Sequence, residues 1–205
     1  MKYKIIIGVI ILGIFVSLGF YFIFKKGEII NYPSNGSDIV AFGDSLVEGV
    51  GSTSEGDFVS LLSSKIGEPI INLGHSGDTT VDGLNRINEL DNYKPKIVIL
   101  LLGGNDYLKK VPAVDTFKNL ATIVENIQSR GSIVLLLGIR GGILSDPFES
   151  EFIKLKDKYG VAFVPDVLSG LIGNIKYMSD PIHPNNMGYK MIADKVYPIL
   201  SKLIN

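Results

Sequence analysis

The sequence predicts a three-layer α/β/α domain built on a parallel sheet of five strands, and three observations carry that expectation. Short runs of β-branched and aliphatic residues alternate with segments of helical periodicity, without internal repeats. The run Lys96 to Leu102 (KIVILLL) is apolar on both faces, as a central parallel strand is when helices cover both sides of its sheet. Polar, glycine-rich sequence follows the first three strands, and right-handed crossovers bring those loops to one edge.

In chain order, the first strand is Asp38 to Phe42, which runs into the turn Gly43-Asp44-Ser45. Phe58 to Ile66 places Val59, Leu62 and Ile66 near helical spacing, with Gly67 as its stop. Pro69 to Leu73 is the second strand, followed by Gly74-His75-Ser76-Gly77. Asp78 or Thr79 can cap a helix with Val81, Leu84, Ile87 and Leu90 along its inner side. Strand three ends in Gly103-Gly104-Asn105-Asp106. A long amphipathic helix then carries Phe117, Leu120, Ala121, Val124 and Ile127 inward and closes at Gly131. Ser132 to Leu137 is the fourth strand, Ile139 to Pro147 a glycine-rich loop, Phe148 to Tyr159 a helix and Val161 to Val164 the fifth strand. Pro165 to Asp180 is irregular. The last helix starts around Asn185 and turns Met187, Met191, Ile192, Val196, Ile199 and Leu200 inward. Pro198 is expected to kink or shorten it.

With 205 residues the chain suffices for one domain with a sizeable core. It has no cysteine, which excludes disulfides, thiolate metal sites and a cysteine nucleophile. The net charge is -1, but Lys2, Lys4, Lys25 and Lys26 take four of the 20 basic residues, leaving 16 against 21 acidic ones. A mildly acidic body without a basic stripe argues against a nucleic-acid partner.

Ile5 to Phe24 is an uncharged run between lysines, long enough at ~1.5 Å per residue to span the ~30 Å hydrocarbon core of a bilayer. A cleavable signal has a shorter apolar region, about 7–15 residues, and Ser17-Leu18-Gly19 imitates its cleavage site poorly. The expectation is a single N-terminal transmembrane helix within residues 1–26, in preference to a signal removed on secretion. Residues 27–37 read as a short linker and 38–205 as the domain. A slight positive-inside bias places the domain outside the cytoplasm.

Ser45 leaves the first strand at the edge where open α/β sheets bind ligands. Its simplest role is to help Asp44 cap the next helix. A serine acts as nucleophile when a base takes its proton. The chain holds two histidines, and His183 has Asp180 three residues before it, a carboxylate able to fix the tautomer of the ring. An acyl transfer also needs donors for the developing oxyanion. Gly77 can offer its backbone N–H, Asn105 its side-chain amide and Ser45 its own N–H.

The segments GDSLVEG (Gly43 to Gly49), NLGHSGDT (Asn72 to Thr79), LLGGND (Leu101 to Asp106) and DPIHPN (Asp180 to Asn185) resemble the four blocks of the GDSL, or SGNH, hydrolase family. They stand in the family's order and span essentially the whole body. SGDT and GGND resemble the branch of bacterial thioesterase I/lysophospholipase L1 and arylesterases. The resemblance implies Ser45 as nucleophile, Asp180 and His183 as its partners, and Ser45, Gly77 and Asn105 as oxyanion donors. It implies a flavodoxin-like sheet of order 2-1-3-4-5, and a small-molecule or lipid ester as substrate with no cofactor and no metal. Ser45 is not in a G-x-S-x-G elbow, so an α/β-hydrolase is not implied. Members of that branch are typically secreted with their signals removed, from which a retained span departs.

Two other chemistries fit the same edge. One is removal or transfer of O-acetyl groups on envelope carbohydrate with the same triad. The other treats Asp44, Asp78, Asp106 and Asp180 as a Mg²⁺ cluster of a phosphohydrolase. Asp44, Asp78 and Asp106 fit better as acceptors from loop backbone. His75 reads as a hydrogen-bonded loop residue, and Arg140 either flanks the cleft or covers apolar surface. Tyr107, Leu108, Leu144 and Phe148, with Val111 and Ile143, are the candidate wall for an acyl chain.

Overall fold

Strand β1 (Asp38–Gly43) is buried from Ile39 onward. The computed structural model, which describes residues 28–140 and 147–204, assembles the sheet around it. Strands β2 (Ile70–Gly74), β3 (Pro95–Leu101), β4 (Ile133–Leu137) and β5 (Ala162–Val164) complete a five-stranded sheet of order β2-β1-β3-β4-β5. Every pairing is parallel, with Phe42 beside both Leu73 and Leu100. The inner strands β1, β3 and β4 carry the core, whereas the edge strand β2 is only half-buried.

Helix α1 (Ser45–Glu48) is one turn at the end of β1, and α2 (Phe58–Ile66) follows, capped by Asp57. Helix α3 (Thr80–Asn85) follows β2, α4 (Gly104–Leu108) and α5 (Ala113–Ser129) follow β3, α6 (Pro147–Tyr159) follows β4, and α7 (Asn186–Ile204) follows β5. Helix α2 packs on α7, while α3, α5 and α6 pack in series, giving the two helical layers of the expected architecture. The observed sheet order is the one implied by the family resemblance.

Some local expectations change. The helix after β2 stops at Asn85, and the chain continues as a 3-10 turn, Ile87–Asn92. Arg86 sits at the break, its side chain turned back toward β1 and β2. Thr79 is the cap, in a reciprocal box with Asp82. Val81 and Met187, both expected inside, are 49% and 48% exposed, each in the first turn of its helix. Pro198 does not shorten α7, which continues to Ile204. The start of α7 is fixed by Asn185, whose Oδ1 accepts from the N–H groups of Met187 and Gly188.

The expected transmembrane segment, Ile5–Phe24, lies outside the described residues. Among the described residues no helix is long and apolar enough to cross a membrane. The stretch read as a linker is tied down where it is described. Ile30 N–H donates to Gly160 O (2.9 Å), Asn31 Nδ2 to Gln128 O (2.8 Å) and Ser132 O (3.0 Å), and Ser34 Oγ to Gly131 O (2.8 Å). These partners lie at the end of α5 (Gln128) and in the chain just before β4 and β5, opposite Ser45.

Candidate active site

Asp44 ends β1 in an extended conformation and caps α1, its Oδ1 accepting the Leu46 N–H at 3.0 Å. The capping role therefore falls to Asp44 alone, which closes the turn, while Ser45, the first helical residue, lines a cleft. His183 Nε2 lies 3.0 Å from Ser45 Oγ, and His183 Nδ1 lies 2.7 Å from Asp180 Oδ2. With Nδ1–H donating to the carboxylate, Nε2 is left to accept the serine proton. Asp180 also accepts the N–H groups of Ile182 and His183 at 2.8 Å each. Those backbone bonds, led by that of Ile182, and the imidazole hold the Asp180 carboxyl below its ordinary range.

The two loops that meet here are braced together. Ser179 N–H bonds to His183 O (2.9 Å), closing the turn that carries the histidine. Gly51 lies against that turn, where a Cβ would collide with Ser179 and the Pro184 carbonyl. From α7, Tyr189 Oη donates to Val50 O (2.7 Å), while Asn186 accepts Thr53 N–H and donates to Thr53 Oγ1. Burial of Tyr189 pushes its phenol above the ordinary range, so it stays a neutral donor.

The cleft holds about 190 Å³. Asn105 lines it from α4, together with the expected Tyr107, Leu108 and Phe148, and with Ile139. Ile182, within the DPIHPN block, lines it as well, as do Leu168 and Ile172, from a stretch whose lack of periodicity gave no signal in the sequence. Arg140 is at its edge, ion-paired with Glu149 at 2.7 Å. Ile143 and Leu144 lie outside the described residues, and Val111 is not among the described residues that line the cleft. A larger groove of about 590 Å³ lies at the opposite edge of the sheet, beside residues 31–36.

Gly77 is exposed in the loop after β2 at φ +85°, a left-handed conformation suited to glycine. It shares the edge with Ser45 and Asn105 but is not among the described cleft-lining residues. Its carbonyl accepts from Lys109 Nζ at 3.0 Å. Asn105 Nδ2 donates to Asp78 O at 2.9 Å. His75 is exposed, and its backbone N–H donates to Gly43 O at 2.9 Å.

The four aspartates do not converge. Asp44 and Asp106 accept backbone N–H groups, as expected, but the Asp78 carboxylate takes Arg86 Nε at 2.6 Å instead of loop backbone. Among the described residues no three His, Asp or Glu side chains are grouped to hold a metal ion. Asp44 is 3% exposed, and burial raises its pKa to about 7 against the opposing pull of the Leu46 N–H.

A parallel α/β/α sheet thus carries a hydrogen-bonded Asp180–His183–Ser45 chain at a largely apolar cleft, an arrangement chemically able to pass the serine proton to the imidazole. The sequence profile of the GDSL-like lipase/acylhydrolase family matches residues 41–191, and the chain belongs to that family. It is 32% identical to an arylesterase of Vibrio mimicus over 176 residues, covering 80% of this chain and 88% of the relative. To the thioesterase 1/protease 1/lysophospholipase L1 of Escherichia coli K12 it is 28% identical, covering 82% and 85%. The crystal structure of TesA superimposes with a TM-score of 0.77 at 29% identity, covering 82% of this chain and 99% of TesA. The protein is a carboxylic ester hydrolase.

Proposed function

We propose that the protein cleaves acyl esters or thioesters through an acyl-enzyme on Ser45. The observation that supports this best is the chain Asp180–His183–Ser45, aligned at 2.7 and 3.0 Å beside an apolar wall. Ser45 Oγ attacks the acyl carbonyl while His183 Nε2 takes its proton, and Asp180 stabilises the imidazolium. The oxyanion rests on the N–H groups of Ser45 and Gly77 and the Asn105 amide. On collapse the leaving alkoxide or thiolate takes the proton from His183. Water then attacks the acyl-enzyme by the reverse proton path, releasing the carboxylic acid and restoring Ser45. Tyr107, Leu108 and Phe148 receive the acyl chain.

The test is turnover of p-nitrophenyl esters from acetate to laurate, with labelling by a fluorescent serine-directed phosphonate. Labelling and turnover by the wild type, both lost in Ser45→Ala, are expected. Turnover retained by Ser45→Ala would overturn the mechanism. Hydrolysis confined to acetyl esters of glycans would move the substrate toward envelope carbohydrate.

We propose that Ile5–Phe24 anchors the domain outside the cytoplasm. Three residues separate Phe24 from Glu28, a reach of about 14 Å. Residues 30–34 are bonded to the edge of the sheet opposite the cleft, a placement that supports a mouth turned away from the anchoring bilayer. Full-length chain retained in carbonate-washed membranes is expected. A shortened, released protein would overturn the anchor.

A further inference from the structure

Arg86 Nε and both terminal nitrogens are engaged at one place beneath the cleft edge. Its Nε pairs with Asp78 Oδ2 at 2.6 Å, and Nη1 with Glu89 at 3.0 Å. Nη2 donates to two backbone carbonyls, Gly43 O at 2.8 Å and Leu73 O at 3.1 Å. The guanidinium carbon sits 4.1 Å from the centroid of the Phe42 ring, and the side chain is 12% exposed. Glu89 is a local i,i+3 partner on the following 3-10 turn, whereas the other polar partners lead to the site. Gly43 leads into Asp44 and Ser45. Leu73 is the next-to-last residue of β2, the strand that leads to Gly77, and Asp78 follows Gly77. The carbonyl of the same Asp78 holds the Asn105 amide at 2.9 Å.

We propose that Arg86 is the positioning residue of the oxyanion site, one guanidinium holding the backbone that carries Ser45, Gly77 and Asn105 in mutual register. This rests on the serine-esterase reading above. The fork geometry is what makes arginine suitable: it meets a carboxylate and two carbonyls at once, whereas an ammonium is a point charge on a flexible stem. Arg86 touches no substrate; it acts through Asp78 and the ends of β1 and β2. The break between α3 and the following 3-10 turn is where the side chain leaves the helix to reach them.

The experiment compares full-length wild type with Arg86→Lys, Asp78→Asn, Asn105→Ala and the two doubles that combine Asn105→Ala with each of the others. Steady-state kinetics on p-nitrophenyl butyrate are read beside thermal unfolding. Arg86→Lys is expected to lower kcat by roughly 10²-fold, the effect of a misplacement near 1 Å, with KM nearly unchanged. Asp78→Asn changes kcat in the same direction by less. In the Asn105→Ala background each substitution costs about fivefold less or better, because one of the donors it positions is already gone. Unchanged kcat with a lowered melting temperature, or costs that simply multiply with that of Asn105→Ala, would overturn the proposal and leave Arg86 a structural brace. If Arg86→Lys does not fold, the Asp78→Asn cycle decides by the same criterion. Ser45→Ala run alongside separates the two readings. Activity surviving in it defeats the esterase mechanism itself, whereas its loss together with multiplicative Arg86 and Asn105 effects defeats the positioning role alone.

Discussion

Asp106 and Thr80 lock two loops of the site together: the buried carboxylate accepts the Thr80 N–H at 2.8 Å and the Thr80 hydroxyl at 2.6 Å. Asp106 follows Asn105 on α4, and Thr80 begins α3 just beyond Gly77, so the bond spans the two proposed donor loops. Thr80 is fully buried, and Asn119 Nδ2 donates to its hydroxyl at 3.1 Å. Asp106→Ala leaves a buried N–H unpaired, at a cost of about 1–3 kcal/mol for each such group. Urea unfolding should show that loss, and kcat should fall with it. Normal stability in Asp106→Ala would mean that water replaces the carboxylate and that the lock is dispensable.

Asp44 makes stability depend on pH in an unusual direction. Its pKa rises on folding from 3.8 to about 7, chiefly by burial, so between those values the folded state holds a proton that the unfolded state has lost. Stability therefore falls as pH rises through that window and levels off above about 7. Asp82, Asp180 and Asp194, whose pKa values are lowered, act the opposite way but only at or below their ordinary 3.8. Asp44→Asn retains an acceptor for the Leu46 N–H and removes the titration. Unfolding free energies from urea titrations between pH 4.5 and 8 should decline for wild type by an amount on the order of a few kcal/mol. They should be flat for the variant, which becomes the more stable protein at the alkaline end. Parallel curves for the two proteins would assign the slope elsewhere.

The sheet was legible because its inner strands are apolar on both faces, KIVILLL most clearly, and the strand order followed from the family resemblance. The hydrogen-bonded chain of Asp180, His183 and Ser45 was legible for a different reason: a chain with two histidines offers few bases, and His183 comes with Asp180. Arg86 was not, because within a helical pattern it is one more polar residue, and its partners Gly43 and Leu73 are backbone carbonyls that no sequence pattern marks. Leu168 and Ile172 escaped because they come from irregular chain, where neither period 2 nor period 3.6 says which side faces a cleft. Val81 and Met187 show the complementary error. Helical periodicity assigns a side, but in the first turn of a helix that side need not be covered, and both residues are about half exposed.

Phe148 is the residue of the cleft wall whose size should set chain length. It is 3% exposed and in edge contact with exposed Tyr107 at 5.8 Å and with buried Phe117 at 5.2 Å, so it joins the cleft lining to the core. Replacing it by alanine opens apolar space at the inner end of a cleft of about 190 Å³. Each methylene that finds apolar surface contributes about 0.8 kcal/mol, so room for two more should raise kcat/KM for laurate relative to butyrate by roughly tenfold. The truncation also removes core contacts, at about 3–5 kcal/mol. Phe148→Leu, with a smaller loss of stability, should move the profile in the same direction by less. A profile unchanged in both variants, with stability lowered in both, would identify Phe148 as a plug of the core and shift the wall to Leu108, Leu168 and Ile172.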